Sequence, residues 1–74
     1  MTGNIQTMLN ALMVALAQTR AGQNLVKLGY HNDRTGEWVE IIEFGNNGEE
    51  VRRDINIEGN SGAATIIAIV KEVM

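Results

Sequence analysis

Apolar residues near the start of the chain are spaced as in a helix that buries one face. In residues 4–20, large apolar side chains recur with i, i+3, i+4 and i+7 spacing. They are Ile5, Met8, Leu9, Leu12, Met13 and Leu16. Asn4 precedes them as a candidate N-cap, and Gly22 follows as a candidate left-handed C-cap. Val14 falls on the opposite face among amides and threonines, which indicates either neutral surface or contact with a partner.

A second apolar stripe predicts a helix over residues 62–74. Its members are Ile66, Ile67, Ile69, Val70, Val73 and Met74. The helix is preceded by GNSG, which has two residues between its glycines and no lysine, whereas a Walker-type phosphate loop needs four residues and then a lysine. We therefore expect Asn60 or Ser61 to cap the helix; the alternative is a weak anion site at Asn60, Ser61 and Gly62.

Three segments between these helices are rich in strand-forming residues. They cover residues 25–31, 37–44 and 49–58, and the last of them alternates cleanly between apolar and polar positions. Asn47-Gly48, between the second and third segments, is a strong hairpin signal because both residues tolerate positive φ. Short connections of this kind predict an antiparallel meander.

The element order predicts one α+β domain over residues 1–74. It has two layers in the order α-β-β-β-α, with a three-stranded antiparallel meander and both helices on one face of the sheet. The middle strand is apolar on both faces, with Trp38, Ile42 and Phe44 on one face and Val39 and Ile41 on the other. Since the helices would cover only one face, the second face is expected to expose apolar side chains and to bind a partner.

The residues expected to make this protein contact are Trp38, Val39, Ile41, Val14 and Arg53. Trp38 is the largest of them, and tryptophan is enriched at interface hot spots. In the alternative interpretation Trp38 lies in the core and Val39 and Ile41 are partly shielded surface. Arg53 shares a strand face with three apolar residues, so it either extends from the rim of the core or pairs with a carboxylate of a partner.

Composition favours self-association. A chain of 74 residues buries a small core, and without cysteine it has neither disulfides nor thiolate metal ligands, so an oligomer is the remaining source of stability. The excess of nine acidic over six basic residues gives a net charge of −3, which disfavours nucleic acid and anionic membranes as partners. No signal peptide or membrane segment is recognisable, so the cytoplasm is the expected location.

Candidate chemistry is sparse. His31 and Asp33 are the one potential base and orienting carboxylate, but their spacing implies no nucleophile or substrate pocket. Glu37, Glu40 and Glu43 lack the ligand order of a calcium-binding loop. We therefore expect no enzymatic activity, no cofactor and no metal site.

The element order resembles that of double-stranded RNA-binding domains, with EGNSGAATIIAIVKEVM in the place of that family's glycine-rich turn and last helix. The family binds phosphates through lysines at the start of this helix. The matching positions here are Gly62, Ala63, Ala64 and Thr65, which carry no positive charge, and His31 and Asn32 align with the loop that the family inserts into the minor groove. RNA binding would have to use Arg34, Arg52, Arg53 and Lys27.

The sequence thus predicts a small soluble protein that acts by protein–protein interaction, with a homodimer as the expected form and with Arg53 and Glu40 setting the register by charge. Nucleic-acid binding through the RNA-binding-like fold is the second hypothesis. A small-ligand site or an enzyme is the third, and it would need a pocket lined by Tyr30, His31 and Ser61.

Overall fold

The computed structural model describes residues 5–74. In chain order the elements are α1 (Ile5–Ala17), β1 (Leu25–Asp33), β2 (Gly36–Phe44), β3 (Glu50–Asn56) and α2 (Gly62–Val73). The strands form one sheet in the order β1-β2-β3, and both neighbouring pairs are antiparallel. The predicted α+β meander between two helices is therefore confirmed. The candidate cap Asn4 lies outside the described residues.

One core joins both helices to the sheet. Its buried members are Ile5, Leu9, Leu16, Leu28, Val39, Ile41, Ile57, Ile69 and Val73. Val39 and Ile41 lie at the centre of β2 and are fully buried. The expectation that Val39 and Ile41 line an exposed surface is wrong, because the helices cover the face of the sheet to which both side chains point. Full burial of a side chain of this size contributes about 1.5–3 kcal/mol.

The end of α1 is not formed by a left-handed glycine. The helix ends at Ala17, and the Thr19 hydroxyl donates to the Leu16 carbonyl while it accepts from the Gly22 backbone N–H. Gly22 has no positive φ, so its expected role as C-cap is wrong. Its backbone instead packs against the helix, where a Cβ would lie 2.1 Å from the Leu16 carbonyl oxygen. Close approach is the reason for glycine here.

The buried stripe of α2 is narrower than its apolar pattern. Thr65, Ile69 and Val73, spaced four residues apart, are the buried residues of this helix. Ile67 and Met74 belong to the apolar set but lie on the solvent side, because they are rotated away from that stripe. Thr65 is accommodated in the core because its hydroxyl donates to the Ser61 carbonyl at 3.0 Å.

Both hairpins turn at a glycine with positive φ. In the β2–β3 loop, the Gly48 N–H donates to the Gly45 carbonyl and the Gly45 N–H donates to the Glu49 carbonyl. Gly48 has a φ of 80°, whereas Asn47 does not take positive φ, so the loop is a turn followed by one left-handed residue. In the β1–β2 turn, Gly36 has a φ of 128°.

Candidate interaction surfaces

The face of the sheet away from the helices is charged. On this face Ile42 lies between its strand neighbours Lys27 and Arg52. Both bases bind the Glu40 carboxylate, with Nζ–Oε1 at 3.1 Å for Lys27 and Nε–Oε2 at 2.9 Å for Arg52. The hydrogen bond from Lys27, together with the charges of Arg52 and Lys27, lowers the pKa of Glu40. Ile42 is only 8% exposed, so the centre of this face is a network of ion pairs rather than an apolar surface, whereas Phe44 at the end of β2 is 49% exposed.

Trp38 lies on the same face, partly buried, and its polar edge is held by the β1–β2 turn. The indole N–H donates to the Thr35 hydroxyl at 2.9 Å, and that hydroxyl donates to the Asp33 carboxylate. The Asp33 carboxylate also accepts from the Thr35 backbone N–H at 2.8 Å. These two bonds from Thr35 lower the pKa of Asp33. The turn therefore fixes the tryptophan ring through its own polar contacts.

Arg53 is bound within its own chain. Its guanidinium pairs with Glu43 on β2 and donates to the Glu72 carbonyl at the end of α2 at 3.1 Å. Glu72 also supplies a carboxylate oxygen 3.4 Å away. A cation at the C-terminus of a helix is favoured by the helix dipole. The sequence left open whether Arg53 extends from the rim of the core or pairs with a carboxylate of a partner. These contacts within the chain support the first interpretation.

The outer edge of β1 is protected by a side chain of α1. The Gln6 amide donates to the Leu28 carbonyl at 3.0 Å and accepts from the Tyr30 N–H at 2.9 Å. The side chain of Gln6 thus makes the two backbone hydrogen bonds that a neighbouring strand would make at this edge. The register of β1 also shifts between Leu25 and Lys27, and such irregularities hinder further strand pairing. Sequence reasoning missed Gln6, and the amide-rich face of α1 was the only signal.

The outer edge of β3 has no such protection in residues 5–74. The Ile57 N–H donates to the Glu37 carbonyl, so the odd-numbered residues of β3 face β2. By the alternation of an antiparallel ladder, the N–H and C=O groups of Arg52, Asp54 and Asn56 point outward. The β2–β3 register runs without a shift from Glu50 to Asn56. This regular edge offers a template for another strand.

Exposed large apolar side chains are distributed over both layers. They are Val14, Phe44, Val51, Ile67 and Met74. Val14 is 66% exposed on α1, in agreement with its predicted position outside the core. Val51 is 43% exposed on β3 and occupies the helix-covered side of that strand, together with Arg53 and Ile55. The unprotected edge therefore carries an apolar side chain that its own chain covers only in part.

A small-ligand site is expected to need a pocket lined by Tyr30, His31 and Ser61, and these three residues do not line the same groove. Tyr30 and His31 line an open groove of about 600 Å³ beside β1, but Ser61 is not among its lining residues. The Tyr30 hydroxyl donates to the Glu37 carboxylate at 3.2 Å. Desolvation is the main cause that raises the pKa of Tyr30, and the negative charge of Glu37 raises it further. Within residues 5–74, no three His, Asp or Glu side chains are grouped as metal ligands.

Ser61 is the N-cap of α2. Its hydroxyl accepts from the Ala64 N–H at 3.1 Å, and its backbone is extended. Asn60 lies before the cap, and its N–H donates to the Ile57 carbonyl. The role of Asn60, Ser61 and Gly62 as a weak anion site stays a prediction.

Three of the four bases on which RNA binding would depend are engaged with carboxylates of the chain. Lys27 and Arg52 bind Glu40, and Arg53 binds Glu43 and Glu72. A phosphate would have to compete with these contacts, which weakens the electrostatic attraction that non-specific binding requires.

No protein-family model, curated protein or solved structure matches the chain. The similarity to double-stranded RNA-binding domains therefore stays a resemblance in the order of elements. None of the helices in residues 5–74 is long and apolar enough to cross a membrane.

Proposed function

We propose that the chain is a small protein–protein interaction module that associates with itself and catalyses no reaction. The observation that carries this proposal is the difference between the two edges of the sheet. Gln6 occupies the β1 edge, whereas the β3 edge presents the backbone groups of Arg52, Asp54 and Asn56 to solvent in the described part of the chain.

Association through an edge fits the energetics of this chain better than association through the open sheet face. The open face holds Glu40 between two bases, and a partner docking there would have to desolvate these charges. An added strand instead satisfies backbone groups that the monomer leaves to water, and strand addition is a common mode of protein recognition. A larger assembly also supplies the buried surface that a chain of 74 residues lacks.

The test is the solution mass, measured by light scattering on a sizing column from micromolar to millimolar concentrations. We expect a dimer for the wild type and a monomer for Asp54→Pro, because proline removes the outward N–H without breaking a backbone hydrogen bond of the monomer. The substitution also removes the carboxylate that lies 3.7 Å from His31 Nε2. Asp54→Ala loses the same carboxylate but keeps the N–H, so it is expected to dimerise more tightly than Asp54→Pro.

Trp38→Ala distinguishes the edge from the open sheet face. This variant is expected to remain dimeric, with an unchanged circular dichroism spectrum. A monomeric wild type over the whole concentration range would contradict the proposed self-association. A dimer that dissociates on Trp38→Ala and survives Asp54→Pro would move the interface to the open face.

A further inference from the structure

We infer that the partner is a second copy whose β3 pairs antiparallel with β3, in the register that places Arg52 opposite the partner's Asp54. The inference rests on the proposed function and specifies the contact by which self-association occurs. It follows from the direction of the backbone groups and from the order of charges along one strand.

Backbone geometry restricts the registers available to such a dimer. The outward groups belong to the even-numbered residues of β3, from Glu50 to Asn56, so these residues must face one another in the hydrogen-bonded pairs of the new ladder. A shift of the register by one residue would place the outward backbone groups of one copy opposite residues whose backbone groups already bond to β2 in the other copy. Only registers whose two-fold axis passes through a residue of β3 therefore remain.

Charge selects among these registers. An axis through Asp54 places the carboxylates of the two copies opposite each other, and an axis through Arg52 opposes the two guanidinium groups. An axis through Arg53 places Arg52 opposite the partner's Asp54, and two-fold symmetry repeats this pair. Both side chains are exposed to solvent, Arg52 at 66% and Asp54 at 45%. Each also has a contact in its own chain, since Arg52 Nε binds Glu40 and Asp54 lies 3.7 Å from His31 Nε2, so the new pairs add to or replace these contacts. This register gives two opposite-charge pairs at hydrogen-bonded positions and pairs all of β3 from Glu50 to Asn56. An axis through Val51 would also set Glu50 opposite the partner's Arg52, but it would pair only residues 50–52.

The same register matches apolar side chains on the helix-covered side of the strand. It sets Val51, exposed in the monomer, opposite the partner's Ile55, and symmetry repeats this contact. Arg53 lies opposite the partner's Arg53 on the axis. Each of these guanidinium groups already has two carboxylates, Glu43 and Glu72 of its own chain, so the central pair is charge-compensated. Charge and hydrophobicity thus select one arrangement.

Charge exchange between two variants tests the register. In Arg52→Asp the paired positions are both acidic, and in Asp54→Arg they are both basic, so each variant alone is expected to be monomeric. Mixed in equal amounts, the two variants restore both opposite-charge pairs. We expect the mixture to form a heterodimer, detected by native mass spectrometry with one variant isotopically labelled.

The double variant Arg52→Asp/Asp54→Arg controls for folding. It carries both substitutions, and in a dimer of two such chains each acidic position 52 again faces a basic position 54. Its Kd is therefore expected to lie within about tenfold of the wild-type Kd, which corresponds to about 1.4 kcal/mol. Single variants are expected to lose at least about tenfold in affinity by the same scale. Circular dichroism of all three variants should match that of the wild type.

The outcomes separate this register from the proposed function. If the wild type dimerises and the single variants dimerise equally well, the register is wrong while self-association stands. A mixture that stays monomeric would also overturn the register. If the wild type itself is monomeric at every concentration, both the proposed function and this inference fail.

Discussion

Single charged side chains of this protein connect neighbouring elements of the fold. Glu40 is the clearest case on the open face of the sheet, because one carboxylate joins Lys27 on β1 to Arg52 on β3 across the middle strand. Arg53 has the corresponding role on the other face, where it connects β2 to the end of α2. Charged residues at these positions hold the three strands and the last helix together.

The lowered pKa of Glu40 predicts a loss of stability in acid. A carboxyl group whose pKa falls on folding stabilises the protein above its unfolded value, here 4.5, and this contribution disappears as the pH falls through the folded value. Glu40→Gln is expected to cost about 1 kcal/mol at neutral pH and to flatten the dependence of stability on pH below 4.5. Urea unfolding of both proteins as a function of pH measures this.

Glu58→Gln is the matched control, since Glu58 is exposed and lies outside the strands. It should leave both the neutral-pH stability and the acid dependence unchanged. Equal acid dependence in wild type and Glu40→Gln would show that the ion pairs of Glu40 do not contribute to the pH dependence.

At the scale of elements, the relation between α1 and the sheet decides which edge is open. α1 brings Gln6 to the outer side of β1, where the amide completes the hydrogen bonds of Leu28 and Tyr30. β3 has no equivalent in residues 5–74, although α2 packs on the same layer as α1. The helices therefore cover one face together but protect only one of the two edges.

Removing the Gln6 amide is expected to expose the β1 edge. Gln6→Ala leaves the Tyr30 N–H to solvent, so its amide hydrogen should exchange faster, with a loss of stability of about 1 kcal/mol. Gln6→Glu can still accept from Tyr30 but cannot donate to the Leu28 carbonyl, so we expect an intermediate effect. The measurement is hydrogen exchange of the Tyr30 amide, followed by NMR in the wild type and in both variants.

Thr7→Ala, a change at the exposed neighbour of Gln6, should leave the exchange of Tyr30 unaffected. Unchanged exchange at Tyr30 in Gln6→Ala would mean that the glutamine does not protect this edge. If Gln6→Ala instead forms larger assemblies, the newly freed edge has become a second site of strand pairing.

At the scale of the whole molecule, the proposed self-association predicts that stability depends on protein concentration, because the core is small and the β3 edge is open in residues 5–74. Folding coupled to dimerisation gives a melting temperature that rises with protein concentration. We expect a rise of several degrees over about a hundredfold increase in concentration, because small changes in free energy shift the melting temperature of a domain this size strongly. The measurement is thermal unfolding followed by circular dichroism.

Asp54→Pro is expected to abolish this concentration dependence, since its outer edge cannot complete the ladder. Its melting temperature should equal that of the wild type at high dilution. A wild-type melting temperature independent of concentration would indicate that folding does not depend on association.

The sequence by itself determined the order of elements, the faces of β2 and β3, and a polar cap for α2 at Asn60 or Ser61, of which the structure has Ser61. These features depend on local periodicity and on the chemistry of single residues, which act over a few positions of the chain. Alternation separated Trp38 from Val39 and Ile41 correctly, but it left open which of the two faces the helices cover. The broad apolar pattern of α2 likewise did not identify the buried stripe of Thr65, Ile69 and Val73.

Only the tertiary structure decided which face is buried and which edge is open. Gln6 reaches Leu28 across 22 positions of the chain, and Arg53 reaches Glu72 across 19. No local pattern encodes such contacts, because they depend on where the helices settle on the sheet. The open edge of β3 follows from that placement, and the pairing proposed for Arg52 and Asp54 requires that this edge is exposed.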